Sequence, residues 1–329
     1  MDGGKLETST MRDLNDSDWL RHIEDLGELE GYWEPLGASH SVLFADRGPV
    51  LLVSFEIRAA IRARSDDQLP LGFTLARAGG HSSLTLIAHD ESWFRDPAVY
   101  AYIDRLVDEA FFEDFDRVVF YGAGSCGYAA AAFSVAAPGA TVITLAPQAT
   151  LEARLTAWDD RFRRRRRQNF TDRYGFAPDM LDGAGAVHVI YDPLIGPDAM
   201  HAALMARPHV TLLPCRNLGS TPESALAEID ALEPMLAQAC AGTFTPAVFW
   251  RLWRGRREAM RYLRRLAGYL DSAGRPGLEA MLCRNVVRRL GWPRFRNRLM
   301  VLEDQLQTPG PARAGEATVE PVTGDSTVG

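Results

Sequence analysis

Short apolar runs alternate with longer segments of helical spacing along most of this chain. Ser41–Ala45, Val50–Phe55, Ser83–Ala88, Arg117–Tyr121, Thr141–Leu145, Val187–Tyr191 and Val210–Leu213 read as strands. Between them, Leu71–Ala78, Pro97–Phe111, Tyr128–Ala137, Asp198–Ala206 and Pro222–Cys240 read as helices. Asp46-Arg47-Gly48-Pro49 lies between the first two strands and predicts a hairpin turn. Central runs such as Val118-Val119-Phe120-Tyr121 are apolar at every position, which suits parallel strands covered on both faces. The alternation predicts an α/β class with a doubly wound, mostly parallel sheet.

From about Thr245 strand signals stop, and arginine and aromatic residues interleave. Breaks at Ala273-Gly274-Arg275-Pro276 and Gly291-Trp292-Pro293 divide this stretch into three helices. The expected organisation is a polar N-terminal segment (1–35), a sheet domain (36–243), a helical appendage (244–307) and a disordered tail (308–329) rich in Pro, Gly, Ala, Thr and Glu.

The most informative run is Val118-Val119-Phe120-Tyr121-Gly122-Ala123-Gly124-Ser125-Cys126-Gly127-Tyr128, a strand, a small-residue turn and an Ala-rich helix. That layout is a nucleophile elbow. It resembles the α/β-hydrolase superfamily, in bacterial members whose elbow reads Tyr-Gly-x-Ser-Met-Gly-Gly-Tyr. The resemblance covers about Ser41 to Gly219 and implies a sheet of α/β-hydrolase type carrying the helical appendage at its C-terminus. Setting Tyr121 and Tyr128 on the two motif tyrosines puts Gly124 at the nucleophile and Ser125 on the Met. The resemblance then implies Asp192, after Val187–Tyr191, as the acid, and Asn217, after Val210–Leu213, at the histidine position. A Gly124, Asp192, Asn217 set has neither attacking oxygen nor base, and acyl-enzyme chemistry has no route through it.

A register shifted by one stays open. Ala123 and Gly127 are small enough to flank Ser125 as the apex. Ser125 would then attack, and the Cys126 amide would supply half an oxyanion hole, the other half coming from the loop near Glu56. The base is the missing part, and His89, at the carboxyl end of Ser83–Ala88, is the nearest candidate. Cys126 itself reads better as a buried thiol than as a nucleophile.

The loop after that strand, Asp90 to Pro97, lies at the edge where open α/β sheets bind ligands. Trp93, Phe94 and Arg95 are candidate pocket walls, and Asp96 ahead of Pro97 is an N-cap. Arg163–Arg167 is the densest charge run, a candidate site for a small acidic ligand, or a solvated face paired to Asp159 and Asp160. Gly122, Gly124 and Gly127 also fit a GxGxxG dinucleotide spacing, but Ala146-Pro147-Gln148 ends the next strand where a ribose-binding acid belongs.

Residues 251–298 hold 14 arginines against three acids, while the whole chain carries a net charge of −7. No nucleic-acid motif accompanies them, so nucleic acid is not expected as a partner. Cys126, Cys215, Cys240 and Cys283 form no metal or disulfide spacing, and no metal or cofactor is implied. No stretch is long and apolar enough for a signal core or membrane span, which predicts a soluble, cytoplasmic, bacterial protein. Oligomeric state is not readable here.

Similar bacterial proteins are often labelled phosphoadenosine phosphosulfate reductase. The chain has neither the Ser-Gly-Gly-x-Asp loop nor the Glu-Cys-Gly-x-His segment such reductases resemble one another in; Cys283 lies in Met-Leu-Cys-Arg-Asn. The overall expectation is a hydrolase-like pseudoenzyme binding a ligand or protein partner at its former active-site edge. An active esterase using Ser125 is the first alternative, and nucleotide or phosphosulfate chemistry the second.

Overall fold

Eight strands form one sheet in a computed structural model that describes Met11 and residues 14–307. They are β1 (Gly31–Leu36), β2 (His40–Ala45), β3 (Val50–Ile57), β4 (Ser82–Ala88), β5 (Arg117–Ala123), β6 (Thr141–Leu145), β7 (Ala186–Tyr191) and β8 (Val210–Pro214). Their order is β1-β2-β4-β3-β5-β6-β7-β8. β2 runs antiparallel to both β1 and β4, and every pair from β4 to β8 is parallel. The doubly wound, mostly parallel sheet expected from the pattern is present.

Period-two alternation decides which side chains meet which layer. On β5, Val118 and Phe120 join the core under the Pro97–Asp108 and Ser125–Phe133 helices. Val119 and Tyr121 join the opposite core, with Leu52, Ile143 and the Leu232–Cys240 helix. A third, smaller core gathers Trp19, Ile23, Leu43, Phe73 and Ile87.

Several elements differ from expectation. Asp46–Pro49 does not turn a hairpin, because β4 lies between β2 and β3. Ser82, at the start of β4, takes the turn's hydrogen bonds instead: its Oγ accepts from the amides of Arg47 (2.9 Å) and Gly48 (3.1 Å). Residues 1–35 are not simply a polar lead-in. Asp16–Glu30 is a helix, N-capped by Asn15, and its Trp19 indole donates to the Gln68 carbonyl (3.0 Å). The expected helix 222–240 is two, Pro222–Ala227 and Leu232–Cys240. Asp230 between them adopts φ +50°, and Ala231 N–H bonds back to the Leu226 carbonyl (2.9 Å) in a helix-ending turn.

The described residues divide into two compact units, with the boundary between Tyr262 and Leu263. Phe249 and Trp253 pack into the core around Tyr121, so the segment from 244 to 262 belongs with the sheet rather than with an appendage. In the second unit, Arg298 holds its helices together through both oxygens of Glu279 (2.7 and 2.8 Å) and Oδ1 of Asp271 (2.7 Å). Residues 308–329, the expected tail, lie outside the described residues. Among the described residues, no helix is long and apolar enough to cross a membrane.

His188 on β7 is buried, its Nδ1 has no hydrogen-bond partner among the described residues, and its ring lies 4.8 Å from that of Phe244. Burial pulls its imidazole down to about 4. The unfolded chain therefore binds a proton that the folded chain refuses. Stability present above pH 6.5 is lost as pH falls toward 4, by up to about 3 kcal/mol. In His188→Leu, urea unfolding midpoints should fall less over this window than in the parent protein.

Candidate functional site at the carboxyl edge of the sheet

The bend after β5 is built by three glycines with separate tasks. A methyl group on Gly122 would collide with the Cys126 carbonyl oxygen, so only a residue without Cβ lets the helix start this close to the strand. Gly127 sits 3.1 Å from the Gly122 oxygen and 3.3 Å from Pro147 Cβ, measured from where its Cβ would be. Gly124 forms the apex, at φ 58°, ψ −122°, a conformation costly for any other residue. Its amide donates to the Leu145 carbonyl (2.8 Å) and its carbonyl accepts from Tyr128 (3.0 Å). A side chain on it would meet nothing within 4 Å, so it faces open ground.

Ser125 is the first residue of the helix, one past the apex, and it is buried. Among the described residues, no imidazole hydrogen-bonds to it. The expected partner, His89, turns away: its Nε2 lies 3.4 Å from Ser41 Oγ. Strand order is the reason. β3 separates β4 from β5, and two strand spacings are about 10 Å. Burial, helped by the positive charge of Arg58, also lowers the His89 pKa.

Asp192 follows β7 and is buried. Its Oδ1 accepts from the Leu194 amide (2.9 Å) and its Oδ2 from the Gly219 amide (2.8 Å). The carboxylate thus pins the loop after β8 on which Asn217 stands, buried and at φ +64°. Asparagine tolerates that conformation well.

The Glu56 carboxylate is engaged away from the bend. Its oxygens accept from the amides of Leu71 and Gly72 (both 2.9 Å), from Ser54 Oγ (3.2 Å) and from Arg64 (2.8 Å). It anchors the N-terminus of the Leu71–Gly79 helix, where the helix dipole favours a carboxylate. Arg64 extends toward Glu223 (3.7 Å), which accepts from the Tyr121 hydroxyl (2.6 Å). No spacing in the chain brings these four residues together; only the sheet does. Burial, then the charges of Glu223 and Glu56, push the Cys126 thiol well above its usual range, so it stays protonated and unreactive.

Trp93 and Phe94 are core residues rather than pocket walls, since both are wholly buried. The Trp93 indole donates to Gln148 Oε1 (3.0 Å). Arg95 is a strap: it lies over the rings of Tyr100 (5.0 Å) and Phe170 (5.5 Å), donates to the carbonyls of Asn169 and Arg173 (both 2.9 Å) and pairs with Asp172.

The arginine run forms a wall. A cavity of about 350 Å³ is lined by Glu91 and by residues 160–165. Arg163 pairs with Asp160 (2.7 Å) and Arg166 donates to the Thr156 carbonyl (2.8 Å). Among the described residues, no ion pair engages Arg164 or Arg165. Beneath the wall, Asp159 is buried and binds both Arg161 (2.8 Å) and His201 (3.1 Å). These hydrogen bonds hold its carboxyl below the usual range although burial alone would raise it. The His201 ring accepts the Ala149 amide at Nδ1 (3.1 Å), so the proton it offers Asp159 sits on Nε2.

No protein-family model and no curated protein sequence matches the chain. Among solved structures it is similar to EstE1, a thermostable carboxylesterase cloned from a metagenomic library, at 14% identity, 74% of this chain, 98% of that one and TM-score 0.40. It is also similar to the hyperthermophilic esterase of the archaeon Pyrobaculum calidifontis (14%, 72%, 95%, TM-score 0.44). A third is the capsule O-acetyltransferase of Neisseria meningitidis serogroup A (12%, 61%, 92%, TM-score 0.38). The structure itself shows an eight-stranded, mostly parallel sheet with flanking helices and a sharp bend at Gly124 after its fifth strand.

The two glycines fail differently when filled. Gly122→Ala meets a backbone atom that cannot move, and should cost about 3 kcal/mol or more. Gly124→Ala meets only backbone strain, about 1–3 kcal/mol. Urea midpoints at constant m should rank them in that order; the reverse order would contradict the packing described.

Proposed function

We propose that this is an α/β-hydrolase-fold protein with an inert elbow, which binds a small acidic ligand at the carboxyl edge of its sheet. The observation that carries the reading is Gly124 at the apex, in the conformation of an elbow nucleophile but with no side chain. Asn217, in place of the base, supports it. Arg164 and Arg165 beside the cavity, which no ion pair engages among the described residues, favour an anion as the ligand. Four buried, free thiols suit a reducing, cytoplasmic setting.

Two measurements test the reading. A fluorophosphonate probe should leave Ser125 unmodified; hydrolysis of short acyl esters that disappears in Ser125→Ala would establish an elbow-driven serine hydrolase instead. Pyrophosphate should raise the Tm, the ligand contributing about 2.7 kcal/mol at a hundredfold excess over Kd. The Arg164→Gln, Arg165→Gln double variant should lose that stabilisation. A Tm that pyrophosphate does not move would remove the acidic-ligand part of the proposal.

A further inference from the structure

Three residues the elbow does not use stand in a proton-relay arrangement. His40 opens β2, and Ser92 and Asp96 belong to the loop that leaves β4. β2 runs antiparallel to β4 with His40 opposite Ala88, so the first residue of one strand meets the last of the other, at the carboxyl edge. His40 is 1% exposed. Its Nε2 lies 2.7 Å from Ser92 Oγ, and its Nδ1 lies 3.5 Å from Asp96 Oδ2. The second distance is beyond an ordinary hydrogen bond, leaving Nδ1 a buried polar atom without one among the described residues. Such contacts are often long before substrate binds.

The protons can be assigned. An unprotonated Nδ1 would set its lone pair against the Asp96 carboxylate. Nδ1 therefore carries the hydrogen, Nε2 is an acceptor, and Ser92 Oγ donates to it. Asp96 is held in place by its other oxygen, which accepts from the Ala98 amide (2.9 Å) at the start of the Pro97–Asp108 helix. Ser92 Oγ accepts from the Phe94 amide (3.2 Å), and the Phe94 ring packs 5.3 Å from the imidazole. Burial, opposed by Asp96, pulls the imidazole down to about 4, so it is neutral at physiological pH.

The backbone carries a second sign. Trp93 (φ +54°) and Phe94 (φ +55°) are consecutive left-handed residues, neither of them glycine. Conformations of this kind cost energy, persist only where packing enforces them, and cluster at functional sites. Here the enforcing contacts are complete burial of both rings and the Trp93–Gln148 hydrogen bond. Ser92 itself is only half-buried. Glu91, immediately before it, lines the arginine-walled cavity, and Phe162 of that wall meets the Trp93 ring at 4.8 Å.

We propose that Ser92 is the nucleophile of a second, relocated acyl-transfer site, with His40 as its base and Asp96 positioning the imidazole, acting on esters of anionic molecules. Ser92 Oγ attacks the ester carbonyl carbon while its proton passes to His40 Nε2. The carbon–oxygen bond to the alcohol breaks, and the departing alcohol takes that proton. Water then attacks the acyl-serine, giving a proton to Nε2, which returns it to Oγ as the acid leaves. The overall change is ester plus water to acid plus alcohol. Arg164 and Arg165 would pair with the substrate's negative charge, so the substrate class rests on the anion-binding reading above; the nucleophile does not.

The test is fluorophosphonate labelling mapped by peptide mass, together with hydrolysis of 4-nitrophenyl acetate and 4-nitrophenyl hydrogen succinate. The adduct should fall on Ser92. Ser92→Ala should keep the parent Tm, lose the adduct, and lower kcat by about a thousandfold or more. Asp96→Asn should lower kcat with KM unchanged, and Asp96→Glu should recover part of the loss, which a purely structural cap would not do. The succinate ester should be preferred, and Arg164→Gln with Arg165→Gln should erase that preference. A folded protein with no adduct on Ser92, while a control serine esterase reacts, overturns the proposal. So does hydrolysis that survives Ser92→Ala. An adduct on Ser125 alone overturns this proposal and the inert elbow together. Equal kcat/KM for the two esters overturns the anionic substrate class only.

Discussion

The close approach of one helix to one strand governs the middle of this protein. The Ser125–Phe133 helix can start directly above β5 only because Gly122 has no Cβ to strike the Cys126 carbonyl. That contact forces the chain into a left-handed apex at Gly124, and the apex in turn presents whatever residue occupies it to open space at the carboxyl edge. In this chain the occupant has no side chain. The bend itself is set by how closely the helix packs on the sheet, which Gly122 and Gly127 allow.

Polar groups around that edge fall into networks that differ in how completely they are satisfied. Glu56 is closed: two helix amides, a hydroxyl and Arg64 use its oxygens. Asp159 is likewise closed by Arg161 and His201. Buried charges of this sort hold elements in register and have no capacity left for a ligand. The His40 cluster is different. Among the described residues its Nδ1 lacks a hydrogen bond although Asp96 stands 3.5 Å away, and its serine partner is half-buried beside Glu91, which lines the arginine-walled cavity. Unlike His188, whose unpartnered nitrogen faces only burial, this imidazole has a carboxylate and a hydroxyl aimed at its two nitrogens.

How much was legible in the chain depended on the distance over which each signal acts. β5 and the start of the helix after it could be read from the consecutive residues Val118 to Tyr128, but the choice between Gly124 and Ser125 as apex could not; the backbone at Gly124 decided it. The Asp16–Glu30 helix was overlooked because the segment reads as polar and acidic in composition, although Trp19, Leu20, Ile23 and Leu26 stand at helical spacing within it. Edge strand β1 was hidden by Glu34 and Pro35, which an edge position tolerates and a central strand does not. The Pro222–Cys240 segment looked continuous, since nothing in its composition announces that Asp230 turns left-handed.

By itself, then, the sequence determined which segments could be buried on both faces and where the chain had to bend sharply. These are local matters, decided by side-chain volume and by the absence of a Cβ. Strand order was left to the tertiary structure. It put β3 between His89 and Ser125, closed Glu56 against a helix fifteen residues on, and brought His40 to Ser92 across 52 positions. A residue's neighbours across a sheet follow from which strands pair, and pairing is decided by the burial of all eight strands at once.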